Sequence, residues 1–107
     1  MELKGKVALV TGGTRGIGAA TAVSLANAGA DVGITARRID DDATRVRDSI
    51  LQLGRRCELI QADHAVASES TASVRTVEEK LGTVDVLVHS AGGPVPGGLL
   101  EVSPEEW

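Results

Sequence analysis

Lys6-Val-Ala-Leu-Val-Thr-Gly-Gly-Thr-Arg-Gly-Ile-Gly18 carries three structural instructions in thirteen residues. The run from Lys6 to Thr11 is short, continuous, apolar and β-prone, the pattern of a strand buried on both faces, as in a parallel sheet. Gly12 and Gly13 close it. From Ile17 the spacing becomes helical, with Ile17, Ala20, Leu25 and Ala28 along one stripe beside Thr21 and Ser24. Gly29 follows, a residue suited to ending a helix in the left-handed conformation. A strand that passes through a glycine-rich turn into a helix directs unpaired backbone N–H groups and the positive helix end to one point, ready to receive a pyrophosphate. Side chains at the glycine positions would block either the approach of phosphate or the packing of helix on strand.

The same unit recurs downstream. Asp31-Val-Gly-Ile-Thr35 reads as a second strand, followed by a helix with Ala43, Val46, Ile50 and Leu53 three or four apart and Gly54 at its end. Asp40, Asp41 and Asp42 supply cap candidates and favourable charge at its start. Cys57–Gln61 is a third strand; a helix from about Ser68 carries Val74, Val77 and Leu81 before Gly82; Val84–His89 is a fourth strand. Strict alternation implies parallel strands joined by right-handed crossovers, hence an α/β protein with a doubly wound sheet of about four strands. Residues 1–107 read as one domain, without linker or low-complexity segment. Near the end, Ser103-Pro104-Glu105-Glu106 has the signature of a helix start, Ser at the N-cap, Pro in the first turn and Glu three residues after the Ser. Trp107 follows at once, so the helix is announced and not delivered.

Composition narrows the function. Apolar residues are 42% and charged residues 24% of the 107, values of an ordinary globular chain rather than a disordered one. The net charge of −4 argues against a polyanionic partner, and with no Phe or Tyr there are no stacking platforms for nucleic-acid bases. No segment approaches the ~20 apolar residues of a membrane span, and no apolar leader is visible at the N-terminus. The single Cys57 makes no internal disulfide, and two histidines without clustered thiols or carboxylates make no metal site. The expectation is a cytoplasmic protein with neither a nucleic-acid nor a membrane partner.

The loop spacing is Thr-Gly-x-x-x-Gly-x-Gly, neither the commoner Gly-x-Gly-x-x-Gly fingerprint nor a nucleoside-triphosphatase loop. With this motif at this distance from the N-terminus, the chain resembles the classical short-chain dehydrogenase/reductase family, and the likeness runs from Gly5 to Trp107. It implies a Rossmann-type fold and places Gly12, Gly13, Thr14, Arg15, Gly16, Ile17 and Gly18 against a nicotinamide dinucleotide. At the end of strand two, where a carboxylate would hold ribose hydroxyls and repel a 2′-phosphate, the sequence has Ala36, Arg37 and Arg38. Guanidinium groups fork onto phosphate oxygens, so Arg37, with Arg15 across the loop and Arg38 nearby, favours NADP over NAD. Asp63 matches the family's acidic acceptor for the adenine amino group. His64 stands where a small apolar residue is usual, which assigns its contact to the backbone. His89-Ser90-Ala91-Gly92 aligns with the family's Asn-Asn-Ala-Gly. Both Asn positions are changed, Ser90, Ala91 and Gly92 fall beside the cofactor, and His89 reads as a buried structural donor.

The resemblance implies hydride transfer between NADP(H) and an alcohol or carbonyl substrate, with a Ser, a Tyr and a Lys four residues after it as the catalytic set. The chain has no Tyr, so no catalytic residue is assigned and the 107 residues alone are expected to be inactive. The chain then reads as the cofactor-binding part of such an oxidoreductase, truncated before the catalytic segment, with homo-oligomeric assembly left open for the complete protein. The alternatives are a non-catalytic nucleotide-binding or interaction module, one half of a split protein, or a product without function. Four strands with an open edge lead to an expectation of weak stability and a tendency to associate.

Overall fold

Val7–Thr11 forms strand β1, and all five of its residues are buried, as a central strand of a parallel sheet requires. The computed structural model describes residues 2–90. After β1 come α1 (Gly16–Asn27), β2 (Asp31–Ala36), α2 (Asp41–Gln52), β3 (Cys57–Gln61), α3 (Ala67–Lys80) and β4 (Val86–His89). The strands lie in the order β3-β2-β1-β4, all parallel. The chain thus steps outward from β1 through β2 to β3, then returns to the other side of β1. That reversal opens a crevice at the carboxyl ends of β1 and β4, where open α/β sheets bind ligands. The expected α/β, Rossmann-type doubly wound sheet is present. The helix start at Ser103 lies outside the described residues.

The two faces of the sheet are covered separately because side chains alternate along each strand. Ala8 and Val10 of β1 pack with Val32, Ile34, Ala22, Ala26, Val46 and Ile50, which seats α1 and α2 on one face. Val7 and Leu9 point the other way, onto Val77 and Leu81 at the α3 side. Gly29, Gly54 and Gly82 follow the three helices with positive φ, as their positions in the sequence suggest.

Several details differ from the sequence pattern, among them Leu53, which is exposed just past the end of α2. In α1 the buried residues are Gly18, Ala22 and Ala26, whereas Ile17 is 83% exposed and Ala20 and Ser24 face solvent. Close approach to the sheet selects the smallest side chains, so the packing stripe is the one a hydrophobicity pattern ranks low. In α3, Ser73 is buried and Val74 is exposed. The Ser73 hydroxyl donates to the Glu69 carbonyl at 2.8 Å, which satisfies its polar group within the helix and lets it pack as a small residue. Strand β4 begins at Val86 rather than Val84. Asp85 accounts for the late start, donating its N–H to the Val7 carbonyl at 2.8 Å and accepting the Val7 N–H on its carboxylate at 2.9 Å.

Helix α3 sits close on the sheet at Gly33. A Cβ built there would lie 2.5 Å from Val77 Cγ2, and Val77 is fully buried. β-Propensity alone would make Gly33→Val stabilising by up to about 1 kcal/mol, but overpacking a closed contact costs about 1–3 kcal/mol. Packing should win: Gly33→Val is expected to lower the urea midpoint at unchanged m-value, and a raised midpoint would contradict this seating of α3.

Candidate functional site

The loop from Thr11 to Gly18 joins the end of β1 to the start of α1. Gly12 and Gly16 hold φ of +72° and +54°, a region that residues with a Cβ rarely enter. The N–H groups of Gly12 and Gly13 both donate to the Thr35 carbonyl, at 3.0 and 3.3 Å, which ties the loop to β2. Thr14 is half-buried. The helix N-cap is Arg15 in an extended conformation; it makes no side-chain cap bond, and no acidic residue stands in the first turn. The first-turn N–H groups, including those of Gly16, Ile17 and Gly18, lack intrahelical acceptors by the geometry of any helix. The positive end of α1 is therefore left uncapped by side chains beside a loop of glycines.

Gly18 is where three segments meet. A Cβ on it would collide with the Gly12 carbonyl oxygen and lie 2.5 Å from Ser90 Oγ. Ser90, just past β4, donates both its N–H and its hydroxyl to the Thr11 carbonyl, at 3.0 and 2.7 Å. The Ser90 side chain thus fastens the end of β4 to the backbone of the loop. Ala91 and Gly92, read as lying beside the cofactor, fall outside the described residues.

Arg37 and Arg38 are exposed immediately after β2, and no carboxylate pairs with either among the described residues. Arg15 differs. Its Nη2 meets Asp40 and its Nε meets Asp42, both at 2.9 Å, across the gap between the loop and α2. The hydrogen bond and charge of Asp40, followed by those of Asp42, push the Arg15 pKa further up. Asp40 is the N-cap of α2, as its sequence position suggests, and accepts the Ala43 N–H at 3.1 Å. That bond, reinforced by Arg15, holds its carboxyl below the usual range.

Asp63 and His64 follow β3. Asp63 Oδ1 accepts the Ala65 N–H at 2.9 Å, and the Asp63 N–H donates to Glu69, so the residue organises the turn into α3. The His64 ring, expected to contribute only backbone, bridges two elements. Its Nε2 lies 2.7 Å from Thr35 Oγ1 and its Nδ1 lies 2.7 Å from Ser70 Oγ. Thr35 Oγ1 also accepts the Gly12 N–H at 3.3 Å. The imidazole thus has a hydroxyl partner at each ring nitrogen, with the direction of each bond set by its tautomer. Partial burial, followed by the field of His89, lowers the His64 pKa. The two histidine rings meet edge-on, with centroids 6.4 Å apart. His89 Nδ1 lies 2.9 Å from Thr11 Oγ1, yet the residue is exposed rather than buried, because it shares with Leu87 the exposed side of β4. Thr35, Ser70 and the carboxylates of Asp40 and Asp42 escape sequence reading as members of this site, since only the register β1–β2 and the folding of α2 and α3 bring them to the loop.

Burial pushes the Cys57 thiol up to about 12, which makes it a packing residue rather than a nucleophile. Among the described residues no three His, Cys, Asp or Glu side chains are grouped to hold a metal ion, and no helix is long and apolar enough to cross a membrane.

A crevice at the sheet switch point, floored by a glycine loop and flanked by arginines, is the architecture of a dinucleotide-binding domain. Comparison with known proteins names the family. The chain belongs to the short chain dehydrogenase family, whose model matches residues 6–107. It is 44% identical over 101 residues to the short-chain reductase protein NovJ of Streptomyces niveus, which aligns 94% of this chain with 38% of NovJ. A short chain dehydrogenase from Burkholderia cenocepacia, solved in complex with NADP, superposes with a TM-score of 0.85 at 44% identity, covering 99% of this chain and 43% of that one. A blue fluorescent protein from a metagenomic library, solved with NADPH, gives 0.85 at 42% identity over 99% of this chain and 44% of its own. The chain therefore spans less than half the length of these relatives.

Two outcomes test the site. Gly18→Ala should lower the melting temperature, because the added methyl displaces the Gly12 carbonyl or Ser90; a wild-type melting temperature for this variant would refute the contact. His64 has a folded pKa below its ordinary value of 6.5, so the unfolded chain binds the proton more readily. Its contribution to stability is complete above pH 6.5 and is lost as pH falls toward the folded pKa. Urea melts from pH 8 to pH 5 should show a loss that His64→Asn removes; an identical profile for the variant would contradict the assignment.

Proposed function

We propose that the chain is the cofactor-binding part of an NADP-dependent oxidoreductase that moves hydride between NADP(H) and an alcohol or carbonyl substrate. The observation that carries this reading is the pair Arg37 and Arg38, exposed without carboxylate partners among the described residues at the end of β2, whose Thr35 carbonyl holds the glycine loop. Phosphate oxygens recognise guanidinium groups by charge and by matched fork geometry. The first turn of α1, with Gly12, Gly13, Thr14, Gly16 and Gly18 leading into it, would receive the pyrophosphate, and the exposed Ile17 side chain would cover an apolar part of the ligand. Asp63 would accept from the adenine, with His64 fixing the backbone beside it. Ser90, Ala91 and Gly92 would border the ribose and nicotinamide. NADP and NADPH in the two solved relatives support the choice of cofactor.

When bound, the cofactor supplies the hydride. These residues contribute binding, orientation and a neutralised phosphate. The family's proton donor is a Tyr, and the sequence holds none, so proton transfer to the developing alkoxide belongs to residues outside this chain. The same absence of Tyr favours, as a second reading, a module that binds the nucleotide without turnover. The acidic balance of −4 supports a small-molecule partner rather than nucleic acid, and the lone, half-buried Cys57 fits a cytoplasmic setting.

Titration of NADPH and NADH into the chain, followed by nicotinamide fluorescence, tests the cofactor. NADPH should bind roughly tenfold or more tightly, the scale of one charged hydrogen bond, and Arg37→Glu should erase the difference. Equal affinities for the two nucleotides would overturn the NADP assignment.

A further inference from the structure

Arg15, Asp40 and Asp42 form an arrangement that simple phosphate binding does not require. Arg15 is 71% exposed, yet it is committed to two carboxylates of α2 at 2.9 Å each. Each carboxylate has a second partner. Asp40 caps the Ala43 N–H at 3.1 Å, and Asp42 meets Arg45 at 3.5 Å. If Arg15 leaves, neither Asp is left unpaired. Exposed ion pairs are worth little in water, about 0.2–1 kcal/mol, so departure is cheap. A phosphate dianion offers the guanidinium stronger, charge-assisted bonds.

We propose that Asp40 and Asp42 are specificity-determining residues that hold Arg15 in reserve: they compete with the 2′-phosphate for the Arg15 guanidinium and so set how strongly the site discriminates NADP from NAD. This rests on the NADP reading above. A nucleotide without the 2′-phosphate leaves Arg15 on α2 and gains nothing from it. A nucleotide with the phosphate draws Arg15 away, and its net gain is reduced by the ion pairs given up. The N-terminus of α2 thereby tunes a site built by β1, α1 and β2, through side chains 25 and 27 residues from Arg15.

The test measures NADPH and NADH affinities for the full chain and for Asp40→Asn/Asp42→Asn. Asn caps helices as well as Asp, and Asp42→Asn alone, which leaves the cap untouched, provides a second variant should the double one melt early. The carboxamide variants should bind NADPH about two- to fivefold more tightly, the scale of an exposed ion pair, with NADH changed less than twofold. The same substitutions placed in Arg15→Gln should give no tightening, since the carboxylates then have no guanidinium to hold. Unchanged NADPH affinity in the carboxamide variants overturns the proposal, and so does a gain that persists in full without Arg15, which would mean direct repulsion of the phosphate. Equal NADPH and NADH affinities in the parent chain overturn the NADP reading itself, and that outcome is read before any variant is made.

Discussion

The contact of Gly18 with the Gly12 carbonyl and the Ser90 hydroxyl is the constraint on which the site depends. It brings α1 down onto the end of β1 and the end of β4 at once, with no atom to spare. Were α1 lifted by one methyl group, its N-terminus would move away from the ends of β1 and β4. The rest of the helix is built to permit that approach. Its packing stripe is Gly18, Ala22 and Ala26, and its large residue Ile17 is turned outward. The same small side chains therefore pack the helix and seat it on the glycine loop.

A second layer locks the loop to the strands. Thr35 is the hub: its carbonyl receives Gly12 and Gly13, and its hydroxyl lies between the Gly12 amide and the His64 ring, which reaches Ser70 on α3. A buried hydroxyl and a half-buried imidazole are tolerable there because each has a partner of the right kind. His64 in place of a small apolar residue is thus explained by its bonds. It joins the glycine loop to an element on the opposite face of the sheet. The electrostatics around the loop are more balanced than a count of arginines suggests. Arg37 and Arg38 present their charge outward, whereas Arg15 is matched by Asp40 and Asp42. At the start of α2, Asp40 thereby works both as a helix cap and, with Asp42, as a counter-charge to Arg15.

Much of this was legible from residue order. The strand runs, the glycines that end the helices, the Asp40 cap and the loop motif are local signals, and each appears in the structure within a residue or two. Family membership follows from the same local signals, since the match to residues 6–107 extends through all of them. Less legible were the faces. Ile17 and Val74 look like core residues and are exposed, while Gly18 and Ser73 look indifferent and are buried. Hydrophobic spacing assumes that the largest apolar side chain marks the packed side, and that fails where elements approach too closely to admit one.

By itself, the sequence determined the alternation of strand and helix, the parallel sheet and the position of the glycine loop, because these depend on neighbours a few residues apart. It also determined that no tyrosine is available in this chain as a proton donor. The tertiary structure alone decided which arginines are paired, that His64 is a bridge and that Ser90 fastens β4 to the loop. Those facts depend on contacts between residues 25 to 79 positions apart, and only the register of the sheet and the seating of the helices bring such groups within bonding distance.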